Sequence, residues 1–392
     1  MKKEDFQMPW KSISVMDERI KFVVLGSREG VNLSELCRGF GISRTTGYRW
    51  LNRFNQSGTV FSVYDRSRRP HHSPNRTPEK LEARVIALRQ RYGWGSKKLR
   101  LLLLQEGLDV KRITIDRILK RNGLIKKKIR DHKADRRFER RLPNQLWQMD
   151  FKGESAVSDG YCYPLSILDD HSRFALGLYA LRHPRAKLVQ NCLISTFENY
   201  GLPEAMLMDH GALWWSTTNG HGLTWLSVWL LKQDIHLIYS RIRHPQTQGK
   251  VERFHRTLDD DIYHHGKPKI FAHWQKSLNR FRHDYNYIRP HEALGMDIPF
   301  NHYYPSRRQY QDQPADWEYP QEAIVKRLNS QGCLDYEQQR YFVCEALRNE
   351  PVQIETIGNK LLVRYRRTYI REIDLITGKG KPIIKKVSQN KL

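Results

Sequence analysis

Carboxylates at three separate places in the chain have the surroundings expected of metal ligands. Asp150 and Asp209 each end a short apolar run, whereas Glu252 follows a proline- and glycine-containing turn and stands between the cations Lys250 and Arg256. Carboxylate oxygens are hard ligands that suit Mg²⁺ or Mn²⁺, and an acid within a basic helix face is useful beside a phosphate backbone. The pattern predicts that Asp150, Asp209 and Glu252 hold two Mg²⁺ or Mn²⁺ ions for chemistry on a nucleic-acid strand. Lys250 and Arg256 would then bind phosphates.

Other acids, and Glu252 itself, have simpler alternative explanations. Asp169 and Asp170 fall in a predicted hairpin turn, where aspartate is favoured for backbone reasons. The acidic run at residues 259–261 is expected to be solvated or paired with arginines. Glu252 could merely pair with Arg256 one helical turn later, and the cations around it could be a solvated face. That alternative leaves Asp150 and Asp209 unexplained.

The composition favours a polyanionic partner. The chain has 392 residues and a formal net charge of +26, from 68 Lys and Arg against 42 Asp and Glu. No run approaches the roughly 18 apolar residues of a membrane-spanning helix, and the start has no signal-peptide pattern. We therefore expect a nucleic-acid partner rather than a membrane. The five cysteines include no CxxC pair, so we expect neither disulfides nor a zinc site. Free thiols fit a reducing compartment, and we expect the protein in the bacterial cytoplasm, associated with the nucleoid.

Residues 14–56 predict a helix-turn-helix DNA-binding domain. A first amphipathic helix spans residues 15–25, and Ser43 caps a later helix at residues 44–54 after a glycine-containing turn. The later helix carries side chains suited to base and phosphate contacts: Arg44, Thr45, Thr46, Tyr48, Arg49 and Arg53. A plain three-helix bundle with a charged face is the alternative.

The next segments continue this basic, helical character. Residues 57–76 form a proline-containing linker, which either lies along the phosphate backbone of DNA or is a flexible spacer without DNA contacts. The linker arginines suited to phosphate contacts are Arg66, Arg68 and Arg69. Residues 77–125 contain three further helical segments separated by glycines and predict a second helical DNA-binding module, and residues 126–143 form a basic tether.

The pattern changes to a mixed sheet and then to short strands. Residues 144–300 read as βββαβαβα, a mixed sheet with helices on its faces. Asp150 lies in the first of these strands, Asp209 ends the fourth, and Glu252 lies on the helix after the fifth. Short strands at residues 323–378 predict a small C-terminal β-barrel, followed by a basic tail at residues 379–392. The predicted fold class is multidomain, α plus α/β.

Three sequence blocks resemble the DDE transposases of bacterial insertion sequences, whose catalytic part is similar to the retroviral integrase core. The blocks are Trp147–Asp150, Met208–Gly211 and His244–Arg253, and Arg289–Leu294 resembles the ending of the family's core. The resemblance implies an RNase H-like core in which strands one and four are neighbours. Asp150 and Asp209 would then converge on one metal site, which Glu252 would close from its helix.

The chain departs from the family pattern at a few points. The interval between Asp209 and Glu252 is longer than is common, and the additional residues are expected in a loop at 213–223. His210 stands where the family often has asparagine, and its role stays open. The amino-terminal His/Cys zinc module of retroviral integrases is absent. None of these departures removes a candidate carboxylate.

The resemblance implies a transposase that binds the terminal inverted repeats of its element as a homo-oligomer on DNA. Cleavage at the element end would free a 3′-hydroxyl, which would then be joined to target DNA by two-metal-ion phosphoryl transfer. Two alternatives are a catalytically silent DNA-binding regulator and an architectural subunit, both derived from such an enzyme. The presence of all three candidate acids favours the enzyme.

Overall fold

The computed structural model describes residues 14–67, 76–125, 139–216, 222–240 and 249–383. The chain divides into two compact units, Met1–Arg76 and Thr77–Leu392. The predicted phosphate contacts Arg68 and Arg69 lie outside the described residues, as does the part of the third sequence block that precedes Gly249. The finer division into seven segments stays a prediction.

The first unit is built from three capped helices. They are α1 (Val15–Gly26), α2 (Leu33–Gly39) and α3 (Arg44–Ser57). The hydroxyl of Ser14 accepts a hydrogen bond from the backbone N–H of Asp17, and that of Ser43 accepts one from Thr46, so α3 begins where the capping pattern predicted. A small core holds them together, with Phe22, Cys37 and Trp50 among its buried members.

Three more helices begin the second unit. They are α4 (Glu79–Tyr92), α5 (Ser96–Gln105) and α6 (Arg112–Arg121). Gly93 ends α4 in a left-handed conformation with φ +67°, a region that favours glycine. Val85, Leu99 and Ile115 are fully buried in the core that the three helices share.

This second helical module is docked on the sheet-containing part of the same unit. The ring nitrogens Nε2 of His264 and His265 lie 2.7 and 2.9 Å from the backbone oxygens of Gln90 and Arg91 and donate hydrogen bonds to them. The Lys98 ammonium donates a hydrogen bond to a backbone oxygen in the Arg289–Leu294 segment. The segment that resembled the family's core ending therefore contacts the second helical module.

A mixed sheet forms the centre of the second unit. Its strands are β1 (Trp147–Phe151), β2 (Ser155–Val157), β3 (Gly160–Asp169), β4 (Ala175–Leu181), β5 (Ala205–Met208) and β6 (His236–Tyr239). The strand order is β4-β3-β1-β5-β6, and β2 pairs with another part of β3. β1 is antiparallel to β3 and parallel to β5, so the predicted first and fourth strands are neighbours. The short strand β2 was not predicted.

Helices cover both faces of this sheet. They are α7 (Ala186–Tyr200), α8 (Trp225–Lys232), α9 (Gly249–His265) and α10 (Trp274–Tyr287). Trp147 and Met149 of β1 pack into the core that includes α7 and α8, whereas Phe254 of α9 belongs to the core on the other face. Because side chains alternate along a strand, Gln148 and Asp150 point towards the α9 side.

The C-terminal strands form an open sheet and not the predicted closed barrel. The strands are β7 (Ile324–Arg327), β8 (Cys333–Tyr336), β9 (Gln339–Phe342), β10 (Pro351–Ile357), β11 (Lys360–Tyr365), β12 (Thr368–Asp374) and β13 (Gly380–Pro382). The sheet order is β13-β12-β11-β10-β7, and β8 pairs only with β9 among the described strands. The inner face of the sheet, which includes Val352 and Val363, shares one hydrophobic core with the central sheet. The apolar face of the C-terminal sheet is therefore buried in this shared core, and not inside a closed barrel.

The helices and the cysteines of the described part of the chain bear on membrane insertion and on disulfide formation. No helix there is long and apolar enough to cross a membrane. Cys37, Cys162, Cys192, Cys333 and Cys344 are buried free thiols.

Candidate active site and nucleic-acid interface

The central sheet brings Asp150 and Asp209 to neighbouring strands. Asp150 lies in β1, and Asp209 directly follows β5. The two strands pair in parallel, with Trp147 opposite Met206, so both acids lie towards the same end of the pair. The alternation of strands and helices, together with the pairing of β1 and β5, thus produces the proximity that the resemblance implied.

The pKa of Asp150 depends on its burial and on the two other candidate acids. The side chain of Asp150 is 21% exposed. Burial, and then the negative charges of Asp209 and Glu252, raise the pKa of Asp150 to about 7, against a hydrogen bond from the Phe151 N–H that lowers it. A cation placed among these carboxylates would relieve that repulsion.

The three acids nevertheless do not converge as a formed metal site. Across the described ranges, no three His, Cys, Asp or Glu side chains are grouped so that they could hold a metal ion. Glu252 is exposed in the first turn of α9. The acids therefore share an electrostatic environment rather than a closed coordination shell.

Asp209 is oriented by two donors that follow it in sequence. Its Oδ1 accepts hydrogen bonds from the Gly211 N–H at 2.9 Å and from the Trp214 indole N–H at 2.6 Å. Trp214 is only 2% exposed, and its ring stacks on Phe151 at 6.0 Å between centroids. The sequence had assigned Trp214 to an inserted loop, and only the tandem tryptophans at this position could have signalled a role in the site.

His210 belongs to an aromatic cluster beside Asp209. Its ring centroid lies 5.2 Å from that of Trp215 and 5.6 Å from that of Tyr239. Residues 217–221 of the predicted inserted loop lie outside the described residues.

His255 is a further neighbour of Asp150 that the sequence analysis missed. Its Nδ1 lies 3.9 Å from Asp150 Oδ2, and its Nε2 lies 2.9 Å from the hydroxyl of Ser166. Burial, and then the charge of Lys152, lower the pKa of His255 to about 4, so the imidazole is neutral at pH 7 and the contact with Asp150 is not an ion pair. Its position three residues after Glu252 on a helix was the available signal.

The two acids at the end of β3 are enclosed by donors. Asp169 accepts hydrogen bonds from the backbone N–H of Asn144 at 2.8 Å, from that of Ser172 at 2.8 Å and from the Ser172 hydroxyl at 2.7 Å. Burial raises the pKa of Asp169, against these hydrogen bonds. Asp170 is fully buried and is bonded to Gln148. Both acids have structural partners, in agreement with their interpretation as structural residues.

Lys250 does not occupy the exposed position expected of a phosphate contact. Its ammonium group lies 2.6 Å from Asp170 Oδ2, and its side chain is 15% exposed. Burial lowers the pKa of Lys250 to about 8, against the charge of Asp170, which raises it. The Lys250 ammonium therefore forms an ion pair with Asp170, which lies 80 positions away in the sequence. Arg256, the other predicted phosphate contact on α9, lies exposed.

Two of the three acids at residues 259–261 of α9 pair with basic side chains. Asp259 lies 2.5 Å from the Lys152 ammonium, and Asp261 contacts the guanidinium of Arg280. Lysine as well as arginine therefore provides the pairing expected for this run.

The predicted recognition helix α3 exposes most of its candidate DNA contacts. Exposed side chains are those of Arg44, Thr45, Tyr48 and Arg49. Thr46 is half-buried, and its hydroxyl lies 2.9 Å from the hydroxyl of Ser43, so it contributes to the helix cap.

Positive charge is concentrated around Trp50 of this helix. The guanidinium groups of Arg19, Arg49 and Arg53 lie 4.3, 5.5 and 4.8 Å from its ring centroid. Burial, followed by the charges of Arg66, Arg49 and Arg19, lowers the pKa of Arg53. Arg66, the described arginine of the predicted linker trio, therefore adds to this cluster and is itself exposed. Crowded cations of this kind suit a polyanionic partner.

Four family models match segments of the chain between residues 18 and 299. An integrase core domain matches residues 140–245 and again residues 233–299. A helix-turn-helix domain matches residues 18–71, and a homeodomain-like domain matches residues 46–119.

Relatives of the chain include proteins of bacterial insertion elements. An uncharacterized protein of insertion element IS407 from Burkholderia multivorans is 24% identical over 280 residues, which cover 69% of this chain and 91% of that protein. One of insertion element IS476 from Xanthomonas euvesicatoria is 25% identical over 245 residues, 58% of this chain and 66% of that protein. A structure of the HTLV-2 integrase catalytic core domain in complex with magnesium aligns with a TM-score of 0.32 and 12% identity, over 41% of this chain and 97% of that one.

These matches agree with the motifs around Asp150, Asp209 and Glu252. Helix-turn-helix domains precede an integrase core, and the relatives include two proteins of insertion elements. The chain therefore has the domain organisation of an insertion-sequence transposase with a retroviral-integrase-like core, which confirms the resemblance stated from the sequence.

Proposed function

We propose that this protein is a metal-dependent DNA transposase. It binds the terminal inverted repeats of its element, cleaves the DNA ends and joins the freed 3′-hydroxyl to target DNA. The observation that supports this most is the parallel pairing of β1 and β5, which places Asp150 and Asp209 towards the same end of two neighbouring strands within an integrase core. Acids placed to repel one another suit a site that takes up cations.

The donor set fits the implied metal. Asp150, Asp209 and Glu252 offer only carboxylate oxygens, the ligands that Mg²⁺ and Mn²⁺ prefer, and two such ions would be held between them. When bound, divalent cations in sites of this kind stabilise the charge on the attacking and leaving oxygens of the phosphodiester.

Neighbouring residues hold these ligands in place. The Gly211 N–H and the Trp214 indole N–H orient Asp209 through Oδ1, which leaves Oδ2 for a cation. The neutral His255 fills the space beside Asp150 without adding a competing positive charge. Trp214 packs on Phe151 and excludes water from that side of the site.

The helical modules provide the DNA affinity. In the first, the exposed Arg44 and Arg49 of α3 read the element end, and the linker around Arg66 contacts phosphates. On α9, Arg256 contacts a phosphate of the DNA that reaches the active site. The protein acts as a homo-oligomer on DNA, in the reducing cytoplasm at the nucleoid.

The test is a strand-cleavage and strand-joining assay with the full-length protein and duplex DNA carrying the element's own ends. We expect activity to vanish with EDTA and to return with Mg²⁺ or Mn²⁺, whereas Ca²⁺, with longer and looser coordination, should support DNA binding but little chemistry. The matched control DNA has scrambled ends. A metal-free preparation that still joins ends would overturn the proposal.

A second candidate is a catalytically silent DNA-binding regulator or architectural subunit derived from such an enzyme. One observation favours it: within the described parts of the chain, the three acids are not grouped as a formed metal site. The same assay separates the two candidates. End-specific, salt-sensitive binding without metal-dependent cleavage would support the regulator.

A further inference from the structure

We propose that Asp170 is a positioning residue for the candidate active site, because its buried carboxylate joins the helix that carries Glu252 to the strand that carries Asp150. This inference rests on the proposed function, in which those two acids are metal ligands. It assigns a purpose to Lys250, which the proposed DNA contacts leave unused.

On the helix side, the contact comes from the first turn of α9. The Lys250 ammonium lies 2.6 Å from Asp170 Oδ2 and also donates a hydrogen bond to the backbone oxygen of Asp170 at 2.9 Å. Lys250 stands two residues before Glu252. A double attachment of this kind fixes the end of the helix from which Glu252 projects.

On the strand side, the contact comes from β1. The Gln148 amide donates a hydrogen bond to Asp170 Oδ1 at 2.7 Å. Gln148 precedes Asp150 by two residues and therefore points to the same face of the strand. The backbone N–H of Asp170 donates a hydrogen bond to the Leu146 oxygen at 2.9 Å, which ties Asp170 to the residue just before β1.

Burial makes this arrangement specific. Asp170 is 0% exposed and Gln148 is 1% exposed, so water cannot replace the hydrogen bond that each side chain makes to the other. A shift of α9 by one residue would separate Lys250 from Asp170, and the buried Asp170 carboxylate would lose its ion pair and keep, at Oδ2, the hydrogen bond from the Arg140 N–H at 2.8 Å. The ion pair between Lys250 and Asp170 therefore sets the register of α9 against β1. The same register determines the distance between Glu252 and Asp150.

The experiment compares full-length wild type with Asp170→Asn, Lys250→Met and the double variant. Mn²⁺ binding to each protein is followed from the electron paramagnetic resonance signal of free Mn²⁺. Thermal unfolding and binding to element-end DNA are measured alongside, and Asp335→Asn, an exposed acid of the β8–β9 hairpin, is the control.

We expect each single variant to bind Mn²⁺ at least about five-fold more weakly than wild type and to cleave at least about ten-fold more slowly, with DNA affinity within two-fold. In the double variant no buried charge is left without a partner, so thermal stability should recover. Mn²⁺ affinity should stay weak, because the link between α9 and β1 is still missing.

Two results would overturn the inference. One is a Mn²⁺ affinity that is unchanged in both single variants while wild type binds Mn²⁺ and cleaves. The other is a double variant in which stability and Mn²⁺ affinity recover together, as a purely structural pair would behave. A wild-type protein that neither binds Mn²⁺ nor cleaves would instead overturn the proposed function, and this inference with it.

Discussion

Two groups of acids in the central sheet have opposite surroundings. Asp150, Asp209 and Glu252 form an open cluster, in which the pKa of the partly exposed Asp150 is raised by burial and by its two acidic neighbours. Asp169 and Asp170 form an enclosed pair at the end of β3, and both are 0% exposed. Backbone N–H groups, a hydroxyl, an amide and an ammonium surround the enclosed pair.

The difference shows that the partners of a carboxylate, rather than its burial, separate a candidate metal ligand from a structural acid. Donors that already satisfy Asp169 leave it no need for a cation. Like charges around Asp150 create that need, because protonation or a bound cation must offset them. The following changes test this distinction, from the largest expected effect to the smallest.

The largest effect is expected for Asp150→Asn in the open cluster. The substitution keeps the shape of the side chain but removes a ligand charge, so DNA cleavage should fall at least about 1000-fold, which corresponds to more than about 4 kcal/mol in the activation free energy. Thermal stability should be unchanged or higher, because a repelling charge is lost. An Asp150→Asn protein with more than about a tenth of wild-type activity would contradict the assignment, and Asp335→Asn is the control.

A loss of stability is expected for Asp169→Ala in the enclosed pair. The change leaves the backbone N–H groups of Asn144 and Ser172 buried without their acceptor, so the free energy of unfolding should fall by about 3 kcal/mol. Urea unfolding measures this change. Asp335→Ala removes an exposed ion pair with Arg340 and should cost less than about 1 kcal/mol. Equal costs for the two variants would remove the distinction between enclosed and exposed acids.

The pH dependence of stability should report the open cluster. The pKa of Asp150 is about 7 in the folded protein against an ordinary value of 3.8, so the folded state binds its proton more tightly than the unfolded state. The free energy of unfolding should therefore fall as pH rises from about 4 to about 7 and level off above pH 7. The full pKa shift sets an upper bound of about 4 kcal/mol for this fall, and solvent screening of the partly exposed carboxylate should reduce it to about 2 kcal/mol.

Urea unfolding in EDTA at several pH values measures this contribution against Asp150→Asn as the matched control. The variant should lack the Asp150 part of the slope, and added Mg²⁺ should reduce that part in wild type, because a bound cation favours the ionised acid. Identical pH profiles for wild type and Asp150→Asn would show that the pKa of Asp150 is not raised in the folded protein.

The smallest effect is expected at the border of the open cluster, for His255→Phe. The ring keeps its volume but loses the hydrogen bond to Ser166, so stability should fall by about 1 kcal/mol. Cleavage should fall less than about ten-fold, because the neutral imidazole is not a proposed ligand. Ser166→Ala removes the same hydrogen bond and should have a similar effect. A loss as large as that of Asp150→Asn would place His255 among the ligands.

Local patterns in the sequence predicted the elements and the candidate acids. Ser43 caps α3 at the expected position. The order of strands and helices followed from alternation and periodicity, and the motifs around the three acids followed from their flanking residues. These features depend on neighbours within a few positions, so the sequence displays them directly.

Contacts between distant residues were decided by the tertiary structure. Lys250 turns inward to Asp170, 80 positions away, and His255 lies against the hydroxyl of Ser166, 89 positions away. The C-terminal strands stay an open sheet because their apolar face packs into the core of the central sheet. Charge and hydrophobicity mark a residue as able to pair or to be buried, but the partner depends on which elements the packed fold places beside it.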